Sequence, residues 1–351
     1  MKTQGSTADL TVAPRRLEAY SARILERAGL ASGDAALVAT SLVDANLRGV
    51  DSHGVSRIPI YVERLGRQLV NPRPDVRVVH ETGGCLQIDG DNGMGQVVMA
   101  RSLDLAMDRL PTQGTVSVGI KNSNHYGSGA FFAKRAIARN AALFLYGNAS
   151  STMSAWGGRD RYLGTNPYTF GIPAGSGEPM ILDMATSVVA RGKIILASQL
   201  GDDIPEGWAV DPDGNPTTDA QAALKGSVLP FGGPKGYGIA LMVEVMAGVL
   251  SGAASGPDVG DLYDHLDRPQ RTGAFFTLLD VGAFLPVDEF ETRVDTLFTG
   301  LAASAPPGGE VLIPGEPEAR KATRNEEQGL SIPASVVSKL EALLPGSSLA
   351  D

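Results

Sequence analysis

Four side chains between positions 52 and 61 can together handle a proton and an anion. Ser52, His53 and Arg57 lie within six positions, and Tyr61 follows one helical turn later. If Gly54 begins a helix, His53 and Arg57 lie on the same side of it. An imidazole exchanges a proton near neutral pH, and a guanidinium holds a carboxylate through two parallel hydrogen bonds. A 2-hydroxy acid or 2-oxo acid requires the first group at C2 and the second at C1. The density of these residues favours that substrate class over a solvated helix start.

Helices are expected on both sides of this stretch. Apolar residues at helical spacing predict a first helix that begins near Pro14 and ends at Gly29. Ser32 is expected to cap a second helix, which Gly49 ends. A third helix is expected to follow and to stop before Asn71. The reactive stretch therefore lies at a junction between helices.

From Val76 onward, strand and helix patterns alternate, which predicts an α/β protein. Alternating apolar residues predict strands that include Thr115–Ile120, Leu143–Tyr146, Tyr168–Ile172, Ala274–Leu279 and Val311–Ile313. Helical spacing predicts helices that include Met94–Arg109, Ala130–Asn140, Val287–Ala303 and Ser335–Leu344.

The composition is that of a globular protein with an acidic surface. The chain has 351 residues, 43% hydrophobic and 20% charged, with a net charge of −9. That charge argues against nucleic-acid or anionic-membrane partners, which need a basic surface. Cys85 is the only cysteine, so no intramolecular disulfide can form. No secretory signal is visible in residues 1–16, and we expect a cytoplasmic protein.

The sequence contains no complete standard motif for a Rossmann dinucleotide site, a serine hydrolase or a metal site. Three G-x-G segments lack the third glycine of the Rossmann fingerprint, because Val98, Phe132 and Leu241 stand there. A helix start after Gly127 or at Lys235 could still hold a phosphate. Ser52-His53 lacks the G-x-S-x-G elbow of many serine hydrolases. The four histidines show no spacing typical of metal ligands.

Several motifs, in order along almost the whole chain, closely resemble the malate/L-lactate dehydrogenase family, which is unrelated to the Rossmann-fold lactate and malate dehydrogenases. The segments that carry the resemblance are 47–54 (LRGVDSHG), 123–127 (SNHYG), 164–167 (GTNP), 182–187 (LDMATS), 234–238 (PKGYG), 273–276 (GAFF) and 313–316 (IPGE). The resemblance implies a mostly antiparallel sheet in an NAD(P)-binding domain, residues 121–299. It also implies a helical substrate and dimerisation domain from both chain ends, residues 1–120 with 300–351, and a homodimer.

The resemblance also implies roles for individual residues. His53 would donate or accept the proton with help from Ser52, Arg57 would bind the substrate carboxylate, and Tyr61 and His125 would contact the substrate. The NAD or NADP cofactor would lie along a longer series of residues. These are His125, Tyr126, Gly127, Ser128, Gly129, Thr165, Asn166, Asp183, Met184, Ala185, Lys235, Gly236, Gly315 and Glu316.

Lys193 bears on the branch of the family. Relatives that reduce cyclic imines carry an acidic residue at this position, which suits a cationic imine. A lysine suits an anionic substrate, so Lys193 is predicted to be a catalytic-site residue of a 2-hydroxyacid dehydrogenase acting on a malate-, lactate- or sulfolactate-like acid. Cyclic imino acid reduction, ureidoglycolate oxidation and a catalytically silent binding protein on the same fold remain open. So do the choice of NAD or NADP and a surface role for Lys193.

Overall fold

The computed structural model describes residues 9–175 and 177–350, and the following elements lie within them. The helices are α1 Pro14–Arg27, α2 Ser32–Leu47, α3 Ile58–Gly66, α4 Gly95–Met107, α5 Leu110–Gln113, α6 Gly129–Ile137, α7 Arg191–Leu200, α8 Ala220–Lys225, α9 Pro234–Glu244, α10 Val287–Ala303, α11 Glu316–Gln328 and α12 Ala334–Leu343. The strands are β1 Leu10–Val12, β2 Arg77–Thr82, β3 Cys85–Asp89, β4 Thr115–Ser123, β5 Ala141–Gly147, β6 Met153–Ser154, β7 Arg161–Leu163, β8 Tyr168–Ile172, β9 Met180–Met184, β10 Ala209–Val210, β11 Pro216–Thr217, β12 Ser227–Val228, β13 Thr272–Asp280 and β14 Leu330–Ile332.

A seven-stranded sheet forms the centre of the molecule. Its strand order is β2-β3-β4-β13-β5-β8-β9, and every neighbouring pair is antiparallel except β3 with β4. In the middle, Phe276 of β13 lies between Val118 and Leu145 of the adjacent strands. Alternate residues of β4 are buried, as expected for a strand with one face under helices. Helices α4 and α6 cover that face.

A helical layer built from both chain ends packs beside the sheet. Strands β1 and β14 pair antiparallel, with Leu10 opposite Ile332, and so join the two ends. Helices α1, α2, α3 and α12 enclose a second core that includes Leu17, Leu42 and Leu340, all fully buried. Helix α2 also contacts α4 and α6, so its C-terminal end is held against the sheet layer.

A smaller third unit lies between β5 and β13 in the chain. It has five short strands in the order β11-β10-β12-β6-β7, with α7 and α8 packed on a small apolar core. Helix α9 follows and continues as one π-helical stretch, Val245–Leu250. None of the helices in residues 9–175 and 177–350 is long and apolar enough to cross a membrane.

Most predicted elements are present, with four local corrections. Ser32 begins α2 instead of capping it, because its hydroxyl bonds Glu26 and Ala31 occupies the cap position. The helix predicted to end at Arg109 ends at Met107, and the short α5 then begins at Leu110. Gly54 does not begin a helix: two 3₁₀ turns, Asp51–His53 and Val55–Arg57, precede α3.

The fourth correction concerns the segment 311–313, which is not a strand. It is irregular backbone that leads into α11, a helix that we did not predict. The backbone N–H of Ile313 donates to the Glu316 carboxylate at 3.1 Å, so a local turn satisfies a group that a strand would have paired.

Candidate active site

The loop that carries Ser52 and His53 is fixed by a buried asparagine at the end of α2. The Asn46 amide donates to Asp51 Oδ1 at 2.6 Å and accepts from the backbone N–H of Val55 at 2.9 Å. Gly54 allows this contact, because a Cβ there would lie 2.2 Å from Asn46 Oδ1. The two 3₁₀ turns are therefore attached to a rigid helix, which fixes the backbone on either side of His53.

Asn46→Ala is expected to lower kcat by about 10- to 100-fold, because small displacements of a catalytic group carry large penalties. It should also lower the free energy of unfolding by about 1–3 kcal/mol, since the Val55 N–H is left without its acceptor. Steady-state kinetics and denaturant unfolding measure the two effects. Asn71→Ala is the matched control: Asn71 makes the same pair of contacts, to Asp91 and to the Arg73 N–H, in a different turn. Equal kcat in both variants would contradict the positioning role of Asn46.

Two histidines face each other at the centre of the candidate site. The rings of His53 and His125 are stacked, with centroids 5.5 Å apart and planes 28° apart. His53 Nδ1 lies 3.1 Å from Ser52 Oγ, and His125 Nδ1 lies 2.7 Å from the Tyr61 hydroxyl. The structure thus brings together the predicted Ser52, His53, Tyr61 and His125, which come from two distant parts of the chain.

Hydrogen bonds determine which ring nitrogen of His125 carries the proton. The Tyr61 hydroxyl accepts from the Gln96 amide at 3.2 Å, and among the described residues its only acceptor is His125 Nδ1. Tyr61 therefore donates to Nδ1, and the proton of neutral His125 resides on Nε2. The backbone N–H of His125 donates to Gln270 Oε1 at 3.1 Å. His125 consequently presents a fixed N–H donor, which suits a carbonyl or hydroxyl oxygen.

Both histidines are neutral at pH 7. Burial, and then the positive charge of Arg57, lower the pKa of His53 to about 4, although the Asp183 carboxylate opposes the shift. Burial, Arg57 and His53 lower the pKa of His125 well below its ordinary value. Burial raises the pKa of Tyr61 to about 12, so the phenol keeps its proton. A neutral imidazole is the form that can accept a proton from an alcohol.

Arg57 is held at the edge of this pair by a contact that the sequence did not reveal. Its Nε donates to the Ser52 carbonyl and its Nη1 to the Tyr263 hydroxyl, both at 2.6 Å. The guanidinium carbon also lies 5.4 Å from the Tyr263 ring centroid. Tyr263 is not among the site residues predicted from the sequence, and no local motif identified it.

Arg64 fixes the path of the loop that carries Tyr263. This arginine is 1% exposed and donates to the backbone carbonyls of Leu262, His265 and Arg268 at 2.8–3.2 Å. The same loop ends at Gln270, which contacts His125. One buried guanidinium therefore holds a loop that reaches both the substrate-binding arginine and the second histidine.

A second group of predicted residues surrounds Asp183 at the end of β9. Its carboxylate accepts from Ser128 Oγ at 2.8 Å, the Ala130 N–H at 3.0 Å and Thr169 Oγ1 at 2.8 Å. At the predicted phosphate site at the start of α6, this carboxylate already accepts from the Ala130 N–H, one of the free N–H groups of the first turn, so a phosphate there stays a prediction. Gly129 is required here, since a Cβ would lie 1.9 Å from Thr169 Oγ1.

A cavity of about 320 Å³ adjoins this second group. Ser128, Asp183 and Gly315 line it, and the predicted Gly127, Met184 and Ala185 are their chain neighbours. The negative charge of Asp183 raises the pKa of His53 and also acts on Tyr126, whose hydroxyl is buried without a partner among the described residues. Asp183, which lines the cavity, therefore acts electrostatically on His53.

Asn166 and Thr165 support the frame of the site. The Asn166 side chain is fully buried and contacts the Ala240 carbonyl, the Glu244 carboxylate and the Ala149 N–H. The Thr165 carbonyl accepts from both the backbone and the hydroxyl of Thr186. The side chain of Asn166 thus points into the protein.

The remaining predicted residues lie in the first turns of three different helices, α7, α9 and α11. Lys235 is exposed in the first turn of α9, and Gly236 packs against the backbone of Phe231. Glu316 begins α11 and binds Arg320 at 2.6 Å. Lys193 is exposed on α7 and contributes no hydrogen bond or ion pair to the described residues around His53.

Comparison with known proteins identifies the family. The model of the malate/L-lactate dehydrogenase family matches residues 12–341. The chain is 37% identical over 321 residues to the L-sulfolactate dehydrogenase of Methanocaldococcus jannaschii, covering 91% of this chain and 92% of the relative. The solved structure of a sulfolactate dehydrogenase from that organism superposes with a TM-score of 0.89 at 35% identity, over 95% of this chain and 96% of the other.

Two further relatives carry cofactors in their names. The (2R)-3-sulfolactate dehydrogenase (NADP(+)) of Chromohalobacter salexigens is 32% identical over 93% of this chain and 96% of its own length. The ureidoglycolate dehydrogenase (NAD(+)) of Escherichia coli K12 is 34% identical over 87% of this chain and 88% of its own length. These matches confirm the resemblance seen in the sequence motifs: the chain belongs to the malate/L-lactate dehydrogenase family.

Proposed function

We propose that the protein is an NAD(P)-dependent oxidoreductase that interconverts a small anionic 2-hydroxy acid and its 2-oxo acid. The observation that carries the proposal is the stacked His53–His125 pair, with the Arg57 guanidinium beside it. One group of the site can therefore hold a carboxylate while two neutral imidazoles contact the oxygen at C2.

Each residue of the site has one task in this proposal. Arg57 binds the substrate carboxylate, and the fixed Nε2–H of His125 donates to the oxygen at C2. In oxidation His53 accepts the hydroxyl proton, with Ser52 orienting its ring through Nδ1, and in reduction it returns that proton. The buried Tyr61 keeps His125 in one tautomer.

The residues around Asp183 fit a nicotinamide dinucleotide, which supplies the hydride when bound. Asp183 lines the cavity and acts electrostatically on His53, and the nearby sequence supplies a buried donor, the Tyr126 hydroxyl, that has no partner among the described residues. Gly315 lines the same cavity and packs closely on β9, because a Cβ would lie 2.8 Å from the Ile181 carbonyl oxygen. Ser128, Asp183 to Ala185 and Gly315 are proposed to contact the cofactor, and Lys235 remains a proposed contact. Both NAD and NADP fit the names of the relatives.

We propose that the two layers of the molecule bind different ligands. The sheet layer would hold the cofactor, and the helical layer from both chain ends would hold the substrate. The domain boundary predicted at residue 120 lies inside β4. Because β2 to β4 belong to the central sheet, we propose to assign these strands to the cofactor-binding layer. We propose that the protein is cytoplasmic. We also propose that it forms a homodimer, because exposed apolar side chains suit an interface; they are Leu241, Met242, Val245 and Val249. Sedimentation analysis measures the oligomeric state.

The deciding experiment is an absorbance assay with NADH and NADPH against 2-oxo acids, a cyclic imino acid and, in oxidation, ureidoglycolate. We expect turnover with a 2-oxo acid that carries a short anionic side chain. A wide preference for the cyclic imine or for ureidoglycolate would place the protein in another branch of the family. No turnover with any of them would indicate a binding protein.

Lys193 is proposed to favour anionic substrates, although it is exposed. Burial raises the pKa of Asp261, but hydrogen bonds from backbone N–H groups and from Ser150 lower it below its ordinary value. The charge of Arg191, two residues before Lys193, also lowers it. Arg191, at the start of α7, therefore acts electrostatically on the loop that carries Tyr263. Lys193→Asp should lower 2-oxo acid reduction relative to cyclic imine reduction, because it reverses a charge near the anion. Lys339→Asp, on the exposed side of α12, is the control. An unchanged ratio would show that Lys193 is a surface residue.

A further inference from the structure

Arg48 is a buried cation at the junction of the two groups of predicted residues. It follows the last residue of α2 and precedes the loop that carries His53. The residue is only 6% exposed, and it lines the cavity beside Asp183. We made no prediction for it from the sequence.

The guanidinium of Arg48 donates no hydrogen bond and forms no ion pair with any residue in 9–175 and 177–350, which is unusual for a buried arginine. Arg64, which is 1% exposed, donates to backbone carbonyls, and the part-buried Arg101 makes two 2.8 Å bonds to the Asp34 carboxylate. A guanidinium that faces a cavity and has no partner in the protein can bind an anion there. The free guanidinium therefore indicates a site prepared for an anion.

The surroundings of Arg48 favour an anion that comes from outside the chain. The cavity wall contains two carboxylates, Asp183 and Glu318. Asp183 already accepts three hydrogen bonds, and Glu318 makes no ion pair with Arg48 within 4 Å. A second cation stands nearby: Lys321 Nζ lies 3.3 Å from the position of a Cβ on Gly49.

We infer that Arg48 binds the phosphate on the nicotinamide side of the cofactor, an inference that rests on the proposed function. Arg48 lines the same cavity as Asp183, the carboxylate of the proposed cofactor site. That carboxylate also acts electrostatically on His53, where the nicotinamide would react. The phosphate is the anionic group of the nicotinamide nucleotide half. An arginine fork binds a phosphate through two parallel hydrogen bonds.

Ligand titrations of the full-length protein test this assignment without measuring turnover. NADH fluorescence gives the cofactor Kd of the native protein, Arg48→Gln and Arg48→Lys. Competition with NADH then gives the affinities of nicotinamide mononucleotide, nicotinamide riboside and ADP. Arg23→Gln, exposed on α1, is the matched control for lost charge. Thermal unfolding establishes that each variant is folded.

Arg48→Gln should weaken NADH binding by about 10- to 100-fold, the range for loss of a charge-assisted contact. The mononucleotide should lose the same factor, whereas the riboside, which lacks the phosphate, should bind the native and variant proteins equally. The NADH Kd of Arg48→Lys should lie between that of the native protein and that of Arg48→Gln. Equal losses for riboside and mononucleotide, an unchanged NADH Kd, or a loss confined to ADP would each overturn the assignment. Failure of the native protein to bind either NADH or NADPH would overturn the proposed function as well.

Discussion

His53→Ala is expected to lower kcat by about 10²- to 10⁴-fold, the usual contribution of a general acid–base group. The affinity for NADH should change little, because His53 acts at the substrate oxygen in the proposed mechanism. Its ring stacks on His125 and contacts Ser52, so the substitution removes the proton-exchanging group without cutting a backbone hydrogen bond. Stopped-flow and steady-state kinetics with the preferred acid measure the loss.

Ser52→Ala and His125→Ala accompany it as comparisons. Ser52→Ala should have a smaller effect than His53→Ala, since it removes only the group that orients the ring. His125→Ala should raise KM as well as lower kcat, because it removes a hydrogen bond to the substrate. A folded His53→Ala variant within tenfold of native kcat, beside a much larger loss in His125→Ala, would transfer the proton-exchanging role to His125.

Arg57→Gln should lower kcat/KM by about 10- to 100-fold, because the substrate carboxylate loses a charge-assisted contact. Arg57→Lys should also be impaired, since an ammonium cannot form the planar two-point contact. A substrate in which the carboxylate is converted to the amide should be poor for the native enzyme. Arg67→Gln, an exposed arginine just after α3, controls for the general loss of charge. Equal use of acid and amide by the native enzyme would refute the carboxylate-binding role.

The pH profile distinguishes the charge of Arg57 from its geometry. In the native protein the neutral form of His53 persists until the pH falls toward its pKa of about 4, so oxidation should fail only in that acidic range. Arg57 is one cause of the lowered pKa, after burial. Arg57→Gln removes the cation, so the pKa of His53 rises and the acidic limb moves to higher pH. Arg57→Lys keeps the charge and should leave the limb in place.

Local sequence patterns predicted the chemistry of the site better than its backbone. Ser52, His53 and Arg57 do lie together, although Gly54 begins no helix. The proximity instead depends on Asn46, which bonds across nine positions to Val55 and so replaces the regular helix that the spacing suggested. A helical period cannot reveal such a contact, because it depends on a side chain packed from the preceding helix.

The partners that complete the site come from distant parts of the chain. Gln96 reaches the Tyr61 hydroxyl from α4, whereas Tyr263 reaches Arg57 and Gln270 reaches the His125 N–H from the loop after α9. The carboxylate of Asp183 likewise accepts from one N–H group at the start of α6, the helix start that looked free for a phosphate. A single sequence contains no signal for such pairings, since they are properties of the tertiary structure.

The way in which Arg64 holds the loop after α9 affects how substrate preference can diverge. Arg64 contacts only main-chain carbonyls, which are present whatever side chains the loop carries. Substitutions at positions such as 263 can therefore change the surroundings of the substrate while the path of the loop stays the same. A scaffold of this kind can be adapted to acids of different shape by changes in one short segment, with the proton-handling residues left in place.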